Sequence, residues 1–485
     1  MNFTKLVETI VIMRFILCWI FLLGFSSCQG DSEGAASANS CFCKLSGVLD
    51  DCPCTAVTID QYNTQLHPNL IKLLETDYFR YFEVDFSAPC KYGWDAQCSS
   101  PNCAVDTCEE EDLPEGVQNE SRKKFSWSSD GYLSRFLKKI LELFPFLEPY
   151  CLMVLEVLSS YSLMSPRQPC NSVDPYPEHH DVVKGEQFCK LDPLDNPDKC
   201  SFVDLLQNPE KFTGYSGEAA HRVWNTIYNE MCFHPETEDK TLYLTSNTAK
   251  SMCLEKRAFY KLVSGLHSSI AVHLCSRYLL KEGGSQEEAV WGRNFEEFRN
   301  RFSPSTTNNE GPERLTNIYF LYLVELRALQ KVASILQNLD GKGEEFKALL
   351  EETLKNIDSF PSHFDESQLF KNETQENQEI LKLYKQNFME ISEIMDCLGC
   401  ERCKVWGKLQ VTGKDISFIN LVFMCIFSGI GTALKVLFTP LENLELTKHE
   451  IVALFNAFGR HSTSISELEE FREAEILTDP VVVNF

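Results

Sequence analysis

The residues most able to do chemistry are three cysteines in one short run, Cys397-Leu-Gly-Cys400-Glu-Arg-Cys403. They follow an amphipathic pattern, Glu390-Ile-Ser-Glu-Ile-Met-Asp, that predicts a helix. Residues three apart share a helical face, so a C-x-x-C pair there can close a strained, readily exchanged disulfide. Arg402 and Lys404 bring positive charge, which favours the thiolate that exchange requires. Three such cysteines cannot all pair among themselves, so a redox pair with one anchoring cysteine is the favoured reading. Purely structural disulfides compete with it. So does a metal or iron–sulfur cluster, which C-x-x-C-x-x-C also serves. Heavy cysteine usage in an exported chain weighs against the cluster, and no metal is expected. Cys98-Ser-Ser-Pro-Asn-Cys103 is the second candidate. Its four-residue gap permits a small exchangeable ring on a loop ending in the acidic run Glu109–Asp112. Its duller alternative is a stapled loop with Cys103 bound to Cys108.

Other chemistries lack their motifs. There is no H-E-x-x-H, no G-x-S-x-G, no P-loop and no G-x-G-x-x-G, and Gly429-Ile-Gly431 lacks a third glycine. A dinucleotide, if bound, is held without a Rossmann turn. A net charge of −25 repels phosphate backbones and argues against nucleic acid as a partner.

Residues 1–28 read as an export signal. Met13-Arg14 precedes an apolar stretch, Phe15–Phe25, and then small residues at Ser26-Ser27, with Met13 the natural start. A buried N-terminal strand is the alternative. Asn119-Glu-Ser and Asn372-Glu-Thr are glycosylation acceptors that fit export. Of 21 cysteines, Cys18 and Cys28 belong to or border the signal, leaving 21 − 2 = 19. An odd number implies a free thiol or an intermolecular bond. The chain ends Val-Val-Val-Asn-Phe, without a retention tetrapeptide, so residence in the endoplasmic reticulum needs a partner.

The elements that must position these cysteines can be read coarsely. Residues 29–485 are expected to form one catalytic domain, since a 44% apolar chain of this length can bury a full core. Residues 41–54 suggest a small hairpin, in which the sums 41+54 and 43+52 are equal. The nested pairs Cys41–Cys54 and Cys43–Cys52 are favoured over the two other connectivities. Residues 90–131, rich in Pro, Gly, Asp and Ser, suggest a mobile surface loop. Helical periodicity dominates from about residue 200, at 219–230, 257–280, 315–339, 344–358, 376–396 and 448–458. The fold class expected is therefore mainly α, a single large helical bundle over 200–485 with a stapled hairpin and a cysteine-bearing loop. Segments 133–170 and 413–428 look foreign. Neither apolar run reaches a membrane span; the second, with part of the first, reads as a translated intron, and a buried helix is the alternative.

The sequence resembles the endoplasmic reticulum oxidoreductin family, flavoenzymes that reoxidise protein disulfide isomerase. The resemblance lies in Cys41–Cys54, Asp77-Tyr-Phe-Arg-Tyr-Phe, Asn102-Cys-Ala-Val-Asp-Thr-Cys108 and Asn208-Pro-Glu-Lys-Phe-Thr-Gly-Tyr. It continues through Lys256–His267, Tyr319-Phe-Leu-Tyr-Leu-Val-Glu-Leu-Arg-Ala-Leu, Ile394–Gln410 and Phe455-Asn-Ala-Phe-Gly-Arg. It implies that Cys400 and Cys403 are the flavin-proximal pair and that Cys98 and Cys103 are the shuttle pair. It further implies a Cys90–Cys397 bridge and a Cys232–Cys253 bridge. FAD is implied at Lys211, Thr213, Trp224, Ser264, His267, Arg301 and Arg314. These residue types suit a flavin site. Trp224 can stack on a ring, and Arg301 and Arg314 can meet a pyrophosphate. Ser264 and His267 share a helical face. By pattern alone, a core tryptophan, a satisfied buried imidazole and solvated arginines explain them better. Lys211 stands where the family usually has arginine, which exchanges a two-point contact for a single one. In the stretch where many members hold a cysteine that locks the shuttle, this chain offers Cys151 and Cys170.

The activity implied is that of an FAD-dependent thiol oxidase in the lumen of the endoplasmic reticulum. It passes electrons from protein disulfide isomerase and related thioredoxin-fold proteins to molecular oxygen and forms hydrogen peroxide. A monomer, peripheral on the lumenal membrane face, is the accompanying expectation. The rival readings are a disulfide-rich lumenal binding protein and a disulfide isomerase without flavin; neither predicts a bound chromophore.

Overall fold

The computed structural model describes residues 56–88, 90–92, 103–109, 113–114, 117, 124–126, 200–210, 217–233, 245–281, 290–339, 343–360, 366, 369–370, 375–411 and 429–476. All of them fall in one compact unit. The expected 41–54 hairpin and the 133–170 and 413–428 segments lie outside the described residues. So do Cys98, Lys211, Thr213, Asn119 and Asn372.

Twelve described helices carry the fold. Helix α1 spans Ala56–Leu74 and a short α2 spans Asp77–Arg80. Then come α3 Gly217–Thr226, α4 Ser246–Ala249, α5 Leu254–Ser276, α6 Phe295–Phe302 and α7 Glu310–Leu336. The chain finishes with α8 Glu344–Ser359, α9 Gln375–Met395, α10 Glu401–Val411, α11 Gly429–Phe438 and α12 Lys448–Ile476. Helices α5 and α7 bury residues on nearly every side, which is the mark of a helix inside a bundle. They pack on each other, and α12 packs on α5, α7, α11 and α1.

The α5–α7 crossing is close because Gly265 faces α7: a Cβ there would sit 2.3 Å from the Asn317 carbonyl oxygen. Helix α1 extends the core ahead of residue 200. Its buried Ile59, Asn63, Leu66, Leu70 and Leu73 recur at three- and four-residue spacing. The bundle therefore recruits residues outside the expected 200–485.

Helix α12 runs well past the expected 448–458. Its second half buries polar residues, which hid it from hydrophobic periodicity. Burial is tolerated because each finds a partner. Arg460 pairs with Glu210. His461 Nδ1 lies 2.7 Å from Glu325, Ser462 donates to Asn63 at 2.6 Å, and the Ser464 and Ser269 hydroxyls meet at 2.7 Å. Arg472 pairs with Asp60, which also accepts the Tyr319 hydroxyl at 2.8 Å.

Strands are few and short. An antiparallel sheet orders β1 (Tyr81–Asp85), β4 (Cys200–Asp204) and β2 (Thr107–Cys108). In it Thr107 faces Val203 and Cys108 faces Phe202. Strand β3 (Lys124–Ser126) pairs with β7 (Glu445–Thr447), and β5 (Tyr278–Lys281) pairs with β6 (Val290–Gly292). Within the stretch read as a loop, 90–131, Thr107 and Cys108 thus form a short edge strand on β4.

Candidate active site

Cys400 caps α10. Its carbonyl accepts the Lys404 N–H at 2.9 Å, and its sulfur accepts the Cys403 N–H at 3.4 Å. The sulfur therefore lies at the start of the helix, facing one backbone donor. Cys400 and Cys403 are fully buried, so a bulky partner cannot reach them directly. Cys397 forms a disulfide with Cys90, with Cα atoms 4.6 Å apart. An Asp396–Lys408 ion pair ties the end of α9 to α10.

The same helix end receives the second cysteine segment. Cys103 is buried and disulfide-bonded. Cys108 is not its partner, which removes the stapled-loop alternative. The backbone N–H of Arg402 donates to the Cys103 carbonyl at 3.2 Å. The Arg402 Nε donates to the Ala104 carbonyl at 2.9 Å. Glu401 accepts the Val105 N–H at 3.1 Å. One residue further, the Asn208 side chain accepts the Asp106 N–H and donates to the Asp106 carbonyl, both at 2.9 Å. The Asn208 carbonyl in turn accepts the Trp406 indole N–H at 2.9 Å. Sequence alone assigns Glu401 and Asn208 no role of their own, although each lies in a stretch that carries the resemblance.

The expected cofactor residues divide. His267, Arg301 and Arg314, on α5, α6 and α7, line one cleft of about 680 Å³. Trp224 stacks on His267 with ring centroids 4.0 Å apart and planes 15° from parallel. Tyr228, unforeseen, places its hydroxyl 3.2 Å from His267 Nδ1. Burial, and then the charges of Arg314 and Arg301, push the His267 pKa down to about 3, so the ring is neutral. Arg301 pairs with Glu297 at 2.6 Å. Arg314 makes no hydrogen bond or ion pair among the described residues. Ser264 does not reach the cleft: it is buried, and its hydroxyl accepts Asn317 Nδ2 at 3.0 Å.

Gly311 makes the convergence possible. A Cβ there would lie 2.0 Å from the Phe302 carbonyl oxygen, so only glycine lets the end of α6, with Arg301, meet the start of α7, with Arg314. Two guanidinium groups beside a neutral imidazole and a stacked indole fit a flavin dinucleotide. The arginines suit its diphosphate and the aromatic pair suits one of its ring systems. Among the described residues no group of three His, Cys, Asp or Glu is placed to hold a metal ion.

The expected Cys232–Cys253 bridge is not formed. Cys232 is a buried thiol at the end of a π-turn, and Cys253 is an exposed thiol at the start of α5. Burial pushes the Cys232 thiol pKa upward, which makes it a poor nucleophile.

The family model described as Endoplasmic Reticulum Oxidoreductin 1 (ERO1) matches residues 65–468. The chain is 39% identical to ERO1-like protein alpha of Bos taurus, over 94% of this chain and 98% of that one. It is equally similar to ERO1-like protein alpha of Homo sapiens, with the same coverage. The chain belongs to the endoplasmic reticulum oxidoreductin family. The Ero1-like protein of Drosophila melanogaster is 36% identical, covering 95% and 96% of the two chains. Among solved structures, Ero1p, described as a source of disulfide bonds for oxidative protein folding in the cell, superposes with a TM-score of 0.52. It is 25% identical, covering 87% of this chain and 99% of that one.

As an oxidoreductin this chain is an FAD-dependent thiol oxidase of the endoplasmic reticulum that generates disulfides and oxidises protein disulfide isomerase. No described helix is long and apolar enough to cross a membrane.

Proposed function

We propose that Cys98–Cys103 and Cys400–Cys403 form a two-stage relay into the buried core. A thiolate of the reduced isomerase attacks the Cys98–Cys103 disulfide, and the isomerase leaves oxidised. A shuttle thiolate then attacks the Cys400–Cys403 disulfide, and the second shuttle thiolate resolves the mixed disulfide. Two electrons and two protons move inward at each stage. Bound FAD supplies the two-electron acceptor that joins this dithiol to oxygen, with hydrogen peroxide as product. For a two-electron couple a gap of about 30 mV favours transfer about tenfold, so a shallow gradient drives the relay.

The observation that supports the reading is the backbone contact between Cys103 and Arg402, a residue that lies between Cys400 and Cys403 in the chain. The Cys90–Cys397 bridge supports it by tethering the other end of that segment three residues before Cys400. A short tether gives an effective concentration in the millimolar range. Trp224, His267, Arg301 and Arg314 are the cofactor contacts this reading assigns, joined by Lys211 and Thr213. The enzyme acts as a monomer, peripheral on the lumenal membrane face, with Asn119 and Asn372 glycosylated.

The test is oxygen uptake with two reductants. Cys400→Ala is expected to abolish uptake with both reduced isomerase and a small dithiol while the protein stays yellow. Cys98→Ala is expected to impair the isomerase reaction far more than the small-dithiol reaction. Full activity of Cys400→Ala removes the assignment.

A further inference from the structure

We infer that Glu401 and Arg402, the two residues between the inner cysteines, act as a clamp that positions the shuttle for exchange, with Asn208 as its fixed pivot. The inference rests on the relay described above.

Three contacts hold residues 103–105 to the α10 N-terminus, and each addresses backbone atoms. The Arg402 amide and guanidinium take two successive carbonyls, those of Cys103 and Ala104. The Glu401 carboxylate takes the next N–H, that of Val105. Backbone contacts of this kind fix where the main chain of residues 103–105 lies. The clamp therefore decides which way the Cys103 side chain points, independently of the side chains around it.

Asn208 plays the complementary part. It is fully buried and grips both polar backbone groups of Asp106. It is also tied to Trp406, on the same helix as Cys403. The pivot is thus keyed to the helix that carries the acceptor cysteine. The two ends differ in permanence. Glu401 is exposed, so water competes for its contact, and the clamp can open without disturbing the core. Asn208 has no such competitor. Residues 103–105 can lift away while Asp106 stays in place, and the segment returns to the same register. Glu401 and Arg402 are positioning residues, since neither supplies a reacting atom.

The test uses the full-length flavin-loaded enzyme and compares oxygen uptake driven by reduced isomerase with uptake driven by a small dithiol. The double variant Glu401→Ala, Arg402→Ala is expected to slow the isomerase reaction about tenfold more than the small-dithiol reaction. Glu401→Gln keeps an acceptor oxygen for Val105 and is expected to retain the rate that Glu401→Ala loses. Equal losses with both reductants, an unchanged isomerase rate, or a Glu401→Gln as slow as Glu401→Ala each overturn the clamp. If the double variant sheds flavin, amide hydrogen exchange at Val105 in each single variant decides, and unchanged protection overturns it. Cys103→Ala tells the relay from the clamp. Normal isomerase turnover in that variant removes the relay itself; loss of turnover there, with normal turnover in the double variant, removes the clamp alone.

Discussion

His267, Arg301 and Arg314 stand on three helices whose crossings leave no slack at Gly265 or Gly311. Cys103 is held to its neighbours by a few hydrogen bonds, just ahead of a two-residue edge strand. The cleft proposed for the cofactor is thus built by packing, which resists displacement, and the proposed shuttle seat by polar contacts that can break singly. An enzyme that must hold a ring still while a thiol pair comes and goes needs both. The division predicts that changes on one side leave the other largely alone.

The tether should give the largest effect. Replacing Cys90 and Cys397 together by Ala is expected to cost about 2–4 kcal/mol of stability and to slow isomerase-driven turnover. FAD affinity should stay within about twofold, read by titrating flavin fluorescence. A large loss of flavin would show that the two regions are not separate. On the other side, under the proposed assignment, Arg314→Ala removes one charged partner of the diphosphate, worth about 1.5–3 kcal/mol, or ten- to a hundredfold in FAD affinity. Exchange between the reduced isomerase and Cys98–Cys103, followed by trapping mixed disulfides, should proceed normally in that variant. Gly311→Ala sharpens the same point without touching a charge. Forcing a methyl against the Phe302 carbonyl is expected to cost about 1–3 kcal/mol and to lower flavin occupancy, with turnover per bound flavin unchanged.

Trp406→Phe should have a smaller effect. It deletes only the bond to Asn208, worth about 1 kcal/mol, and is expected to reduce isomerase-driven turnover by less than about tenfold with flavin retained. The mildest signature is in pH. The folded-state pKa of His267 lies near 3 and that of His449 near 4, both below the ordinary value of 6.5. On acidification the unfolded chain takes these protons first. The stabilisation is complete above pH 6.5 and is lost as pH falls toward 4 and 3. Between pH 7 and 8 neither group contributes a slope. In His267→Gln the urea midpoint should fall less steeply below pH 6 than in the parent; identical slopes would contradict the burial of the ring.

Local spacing made much of the site legible. The C-x-x-C-x-x-C run, the second cysteine pair and the amphipathic helices all announce themselves within a few residues of chain. What failed was periodicity wherever burial is polar. The second half of α12 carries Arg460, His461, Ser462 and Ser464 inward, each matched by a partner at least 136 residues away in sequence. The strand at Thr107–Cys108, inside the stretch 90–131 read as a loop, was hidden for a related reason: two residues have no alternation to detect, and the pairing comes from distant β4.

The sequence by itself determined the kind of chemistry, because thiol exchange depends on residue types and short spacings, and it determined the family, through long ordered motifs. Only the tertiary structure decided which distant groups meet. Arg301 and Arg314 share a cleft because Gly311 lets two helix ends touch. Ser264 turns to Asn317 because α5 and α7 cross there. Of the two bridges the resemblance implied, Cys90–Cys397 forms and Cys232–Cys253 does not. The physical reason is the same in each case. Such contacts are made by backbone approach and by partners far apart in the chain, and neither leaves a local pattern in the order of residues.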